Sequence, residues 1–199
     1  GDIIHALDQY TGDIFHKIVN KAAPVVNSFD LDRYMPFLDK TSAAVRKVSA
    51  DPIIIMENSY FSNLGIKCAV RPIEINGKKA ENQIFTPHAY DLMVDTPAYK
   101  YANNSRVKSI FDQRKKEQNE SLKIPVIVGE WGGYSEGTEW LPHIEFLLSM
   151  FDENKWSTTY WAYFDGLLES PLGKVLKRAY PRAVTGRILS YKHDRRENT

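Results

Sequence analysis

The stretch Val126-Ile127-Val128-Gly129-Glu130-Trp131-Gly132-Gly133 decides how this chain is read. Together with Ile124-Pro125 ahead of it, the run is short, apolar and rich in β-branched residues. That pattern predicts a strand over 124–128, buried on both faces. It closes on a carboxylate. A carboxylate at the end of a buried strand is costly unless it is hydrogen-bonded or put to use. The glycines beyond it leave room for backbone or ligand to approach. Glu130 is therefore the first candidate for catalysis; the competing reading is a glutamate that caps a turn.

Three segments repeat the pattern. Ile53-Ile54-Ile55-Met56 follows Asp51-Pro52 and ends in Glu57-Asn58. Gln83-Ile84-Phe85-Thr86 ends in Pro87-His88-Ala89-Tyr90-Asp91. A fourth strand, 158–164, ends in Asp165-Gly166. Helices are predicted between them from apolar spacing. One spans 36–50, with Phe37, Thr41, Ala44, Val45 and Val48 on its apolar face and Lys40, Arg46 and Lys47 opposite. Another spans 104–118 around Val107, Ile110 and Phe111, its many Lys and Arg residues forming a solvated face. A third spans 139–153, with a stripe of Ile144, Leu147, Leu148 and Phe151. Residues 73–79 read as a hairpin turning at Asn76-Gly77. Residues 1–35 are expected to be helical or irregular, with Phe15, Ile18, Val19 and Ala22 on one face. Residues 179–199 are expected to hold two strand-like pieces at most, then a polar tail from His193. Short buried strands alternating with amphipathic helices make this an α/β chain built around a parallel sheet.

In a closed parallel barrel the C-terminal strand ends share one cleft. His88 and Tyr90 alternate on an extended segment and so face the same way. There they can orient an ionised carboxylate through hydrogen bonds; a satisfied core histidine is the equal alternative for His88. Trp161 and Tyr163 share a face of the last strand. Trp161 suits either the floor beneath a sugar ring or the core. Glu57 suits either a ligand to a sugar hydroxyl or a structural acceptor.

Composition narrows the partners. The 199 residues suffice for one core. A net charge of +1 argues against nucleic acid or a membrane surface as partner. Four Trp and eleven Tyr suit the flat walls of a sugar-binding cleft, as they also suit a large core. Cys68 is alone, so no intramolecular disulfide is possible. No run reads as a membrane span or signal peptide. Glycine-rich phosphate loops and the G-x-S-x-G turn are absent, and no cofactor is expected. His143-Ile144-Glu145 lacks a second His at metal spacing, so no metal is expected either. Asn103-Asn104-Ser105 and Asn119-Glu120-Ser121 fit the glycosylation sequon, a pattern that is often accidental.

Three of these strand ends carry a family resemblance. Pro87-His88-Ala89-Tyr90, the Val126–Gly133 stretch and Tyr160-Trp161-Ala162-Tyr163 resemble the sixth, seventh and eighth strands of glycoside hydrolase family 5, in its endoglycosylceramidase branch. Ser42-Ala43-Ala44-Val45-Arg46 leading into Ile53–Glu57 is similar to that branch's fourth helix and fifth strand. Residues 178–186 resemble its junction into a C-terminal β-sandwich, with Ala179 where the family has Pro. Gly1-Asp2-Ile3 resembles the segment just beyond its Asn-Glu-Pro motif.

The resemblance implies a (β/α)8 TIM barrel, of which residues 1–178 hold strands 5–8 and residues 179–199 the junction toward a β-sandwich or a polar tail. It implies a retaining β-glycosidase that cleaves oligosaccharide from ceramide in glycosphingolipids, or a related β-glucoside. Glu130 is then the nucleophile, His88 and Tyr90 its support, and Trp161 the sugar floor; Trp131 and Glu57 join the substrate-binding set. The family's acid/base is the Glu of Asn-Glu-Pro, which this sequence lacks and which is expected upstream of Gly1. Retention needs two carboxyl groups roughly 5–5.5 Å apart, so the chain alone is expected to be inactive. A whole barrel takes about 250 residues. The expected partner is therefore the N-terminal half of the same protein, or a second copy. Two rival readings are a non-catalytic carbohydrate- or lipid-binding module on a half-barrel, and an ordinary α/β domain whose strand ends coincide by chance.

Overall fold

The computed structural model describes Gln9 and residues 11–194. The rest of the expected N-terminal segment and the end of the polar tail lie outside the described residues. Helices α1 (Gly12–Val19), α2 (Ala23–Phe29) and α3 (Met35–Val48) follow one another through a 3₁₀ turn at Asn20–Ala22 and a π turn at Asp30–Tyr34. Pro24 and Pro36 each come just after one of these turns, where the regular i→i−4 pattern of hydrogen bonds is interrupted.

Helix α3 corrects one expectation. Its predicted apolar face points outward: Phe37, Val45 and Val48 are exposed, while Met35 and Ser42 are buried. The reason lies in Arg46, expected on the solvent side. Its guanidinium donates to the carbonyls of Pro52 at 2.8 Å, Glu81 at 3.0 Å and Asn82 at 3.3 Å. These carbonyls precede two strands, so Arg46 ties the inward face of α3 to the base of the sheet.

The strands are β1 (Ile54–Met56), β2 (Glu74–Ile75), β3 (Lys78–Lys79), β4 (Gln83–Phe85), β5 (Ile127–Gly132) and β6 (Ser157–Trp161). β1 pairs in parallel with β4, and β5 with β6. Parallel bridges Phe85↔Val126 and His88↔Glu130 join the two pairs. The parallel array thus runs β1–β4–β5–β6, in chain order. β2 and β3 form the expected hairpin aside from it. Asn76 and Gly77 both take positive φ, 53° and 72°, as a two-residue hairpin turn requires.

Helices α4 (Asn104–Glu117) and α5 (Leu141–Asn154) cover one face of this array, and α6 (Pro171–Leu176) follows β6. The Asn103 side chain caps α4 by accepting from Ser105 N at 2.8 Å and Arg106 N at 3.3 Å. Ile144, Leu147, Leu148 and Phe151 form the buried stripe of α5. Phe151 meets Phe111 of α4 and Trp131 of β5 edge-on, each with ring centroids 5.0 Å apart. Each such aromatic contributes about 1.5–3 kcal/mol through burial.

The basic face of α4 is a second correction. Arg106 and Arg114 are 1% and 0% exposed. Arg106 grips Asp91 with two prongs, Nε to Oδ2 at 2.9 Å and a terminal nitrogen to Oδ1 at 3.0 Å. Arg114 pairs with Glu117 at 3.1 Å and donates to the Ile66 carbonyl at 2.6 Å. Residues 177–194 form neither helix nor strand. Among the described residues no helix is long and apolar enough to cross a membrane.

Candidate active site

The register of β5 against β6 sets the site. Val128 pairs with Thr158 and Trp131 with Tyr160, so Gly129 and Glu130 together oppose Thr159. This is a β-bulge, one residue longer on β5. In a regular strand Glu130 would share the face of Val128, two residues earlier. Val128 is fully buried under the helices. The bulge instead turns Glu130 to the other face of the sheet, where its side chain is 34% exposed. Trp131 takes the helix-side position in its place.

On that open face the strand-end residues converge. Tyr90 donates its hydroxyl to Glu130 Oε2 at 3.0 Å. His88 Nδ1 stands 3.6 Å from the same oxygen, and His88 Nε2 stands 3.4 Å from Glu57 Oε1. The imidazole therefore lies between two carboxylates. Burial, reinforced by the hydrogen bond to Glu130, pushes the Tyr90 phenol well above the ordinary tyrosine value. It stays a donor across the neutral range. The neighbouring backbone is also fixed: Ala89 N donates to Glu130 O at 3.2 Å, and Gly129 N to Pro87 O at 3.1 Å.

Glycines and tyrosines around Glu130 make this possible. A Cβ on Gly129 would lie 2.2 Å from Thr86 Oγ1 and 2.6 Å from His88 Nε2. The glycine before Glu130 is what lets the imidazole sit there. Past Glu130, Gly132 and Gly133 adopt φ of 125° and 134°. Tyr99 donates to Gly132 O at 2.5 Å, and Tyr160 donates to Gly133 O. Burial pushes the Tyr160 phenol up to about 12, so it too remains a donor. The Gly-Gly pair was the available signal for this turn; Tyr160 was noted only as part of a resembling stretch, and Tyr99 carried no signal.

Trp161 ends β6 opposite Gly132 and is 60% exposed. Tyr163 lies beyond the end of β6, which is shorter than predicted, and is also exposed. Glu57 is half exposed. Trp131, expected among the substrate-binding residues, is a core residue instead. It is 1% exposed and packed edge-on against Phe151 and Tyr160. The bulge that turns Glu130 outward sends Trp131 inward, where it lines a hollow of about 450 Å³ with Leu148, Phe151 and Trp156. Among the described residues no three His, Cys, Asp or Glu side chains gather as a metal site would need.

The family model described as Cellulase (glycosyl hydrolase family 5) matches residues 26–166, well over half of the sequence. The chain belongs to glycosyl hydrolase family 5. This family 5 chain also superposes on endo-glycoceramidase II from Rhodococcus sp. The TM-score is 0.70 at 18% identity, over 84% of this chain and 41% of that one. The lactosyl-enzyme intermediate of that protein gives 0.70 at 18% identity, over 84% and 40%. Its ganglioside GM3 complex gives 0.69 at 15% identity, over 92% and 48%. At such identities the likeness is one of fold. The chain spans less than half the length of these structures. No curated protein matches it.

Proposed function

We propose that this chain is the second half, strands five to eight, of a TIM-barrel glycosidase that works with retention, and that Glu130 is the nucleophile. The observation that carries the reading is a carboxylate turned onto the open strand-end face, with one oxygen engaged by Tyr90 and flanked by His88. Both contacts fall on Oε2, which leaves Oε1 to attack. In the first step Oε1 bonds to the anomeric carbon and the bond to the aglycone oxygen breaks. The departing oxygen takes a proton from an acid outside this chain, the Glu of an Asn-Glu-Pro segment upstream of Gly1. Water then attacks the same carbon, passing a proton to that Glu, and frees Glu130. Tyr90 and His88 orient the nucleophile, Trp161 underlies the sugar, and Glu57 holds the far side of His88.

The substrate is a glycosphingolipid, cut between oligosaccharide and ceramide, or a related β-glucoside. The endo-glycoceramidase II structures support this class, since they include a ganglioside GM3 complex and a lactosyl-enzyme intermediate. The missing half would cover the apolar side chains now exposed on the helices before β1, just ahead of β1 and on β1 itself: Val25, Phe29, Phe37, Val48, Ile53 and Ile55. Residues 179–199 lead toward a further β-sandwich. The chain alone does not turn over ordinary glycosides, and it associates with the first half or with a second copy. A monodisperse monomer by light scattering would contradict that association.

The test of the chemistry is Glu130→Gln in the complete protein, where the first half precedes this chain. An amide cannot act as the nucleophile. Hydrolysis of a β-lactoside should be abolished. Substantial residual turnover, or sugar binding with no turnover even in the parent, contradicts the reading.

A further inference from the structure

We propose that Thr159 is a positioning residue, whose hydroxyl clasps the bulge that aims Glu130. The inference rests on Glu130 being the nucleophile and adds a residue to its support. A parallel ladder supplies each carbonyl with an amide from the next strand. Where two residues of β5 face one of β6, the ladder falls short at the bulge. Thr159 is the single residue opposite Gly129 and Glu130. Its Oγ1 donates to Gly129 O at 2.5 Å and lies 3.3 Å from Val128 O. A hydroxyl carries one hydrogen, so the nearer carbonyl, that of Gly129, is its main acceptor.

The position of that carbonyl gives the contact its meaning. Gly129 C=O belongs to the peptide unit whose nitrogen is Glu130's own. On the opposite side Gly129 N donates to Pro87 O at 3.1 Å, and Glu130 O accepts from Ala89 N at 3.2 Å. The backbone around Glu130 is thus held by the segment after β4 on one side and by a β6 side chain on the other. Removing the β6 contact frees the peptide plane from which the Glu130 side chain springs. An error of about 1 Å in the placement of a reacting group costs on the order of 100-fold in rate. Thr159 itself is exposed on the open face, so its replacement empties no core.

Thr159→Val keeps the shape and deletes the O–H; Thr159→Ser keeps the O–H. Both are made in the complete protein beside Glu130→Gln, and assayed on 2,4-dinitrophenyl β-lactoside, whose leaving group needs no proton. For Thr159→Val we expect kcat to fall about 10- to 100-fold with KM within about threefold, and for Thr159→Ser a kcat within about threefold of the parent. Parental kcat in the valine variant, with Glu130→Gln inactive, overturns the role of Thr159 and leaves the nucleophile standing. A raised KM at unchanged kcat also overturns it, by making Thr159 a substrate contact. The serine variant decides the matter even if the valine variant unfolds: a tenfold loss in kcat with serine overturns the proposal. Near-parental turnover by Glu130→Gln marks failure of the nucleophile assignment instead, and the proposal goes with it.

Discussion

The Tyr90 phenol, in the segment after β4, and the Glu130 carboxylate of β5 meet at 3.0 Å through Oε2 alone. A hydrogen bond to a charged acceptor contributes about 1.5–3 kcal/mol, and a factor of ten in rate corresponds to about 1.4 kcal/mol. Tyr90→Phe keeps the ring and deletes the donor. It should lower kcat/KM on a β-glycoside about 10- to 100-fold in the complete protein. A value equal to that of the parent would mean that the phenol does not support Glu130. Because burial holds the phenol far above the ordinary tyrosine value, it should give no ionisation signal in an ultraviolet titration up to pH 10. Comparison with the Tyr90→Phe variant isolates its contribution.

Gly129→Ala tests the packing beneath the imidazole. The added methyl would stand 2.2 Å from Thr86 Oγ1 and 2.6 Å from His88 Nε2, closer than real Cβ contacts. His88 must swing away from Glu130, or β5 must shift. Activity should drop at least about tenfold while the circular dichroism spectrum stays that of a folded protein. A fully active alanine variant would show that the position of His88 does not matter.

The fold and the candidate site were not equally legible. The four strands could be read because each is a short stretch rich in apolar, aromatic or β-branched residues that stops at a polar, proline or glycine residue; burial on both faces was overestimated, since Ile55 of β1 and Trp161 of β6 are 61% and 60% exposed. Glu130, His88 and Tyr90 could be singled out because strand ends are where polar groups break such runs. Trp131 joined the substrate-binding set by its place beside Glu130 in the resembling stretch, but the bulge turns the two side chains to opposite faces. The bulge at Gly129 and Glu130 depends on Thr159, some thirty residues away, and leaves no local mark. Arg106 was taken for a solvated charge for the same reason: its partner, Asp91, lies in the loop after β4. On α3, both faces carry enough small or apolar residues for periodicity to choose either. Arg46, reaching backbone carbonyls rather than another side chain, settles which one turns inward.

The Arg106–Asp91 pair is almost wholly buried, at 1% and 0% side-chain exposure. Removing one partner of such a pair strands the other charge and costs about 3–5 kcal/mol. Arg106→Met should lower the unfolding free energy by that amount in urea titrations, and Asp91→Asn in the same chain should restore part of it. A change below about 0.5 kcal/mol in the single variant would place the pair with surface bridges.

His143 supplies a pH dependence. Burial pulls its imidazole down to about 4 from an ordinary value of 6.5, and its Nδ1 lies 2.6 Å from Asn104 Oδ1. The unfolded chain therefore binds a proton at this site between about pH 6.5 and 4, where the folded protein does not. Stability must rise with pH across that window and fall as the pH is lowered through it. Its share is on the order of a few kcal/mol and levels off below about pH 4. The loss of stability between pH 7 and 4.5 should be smaller in His143→Gln than in the parent. Equal losses in both would assign the acid sensitivity elsewhere.

The most direct measurement is covalent trapping at the proposed nucleophile. The complete protein is incubated with a 2-deoxy-2-fluoro β-glycoside carrying a dinitrophenyl leaving group, then digested and mapped by peptide mass spectrometry. The expected result is one sugar bonded to the peptide that contains Glu130, with fragmentation placing it on that side chain. A label on Glu57 or any other carboxylate, or no label while the protein still hydrolyses β-glycosides, would contradict the assignment.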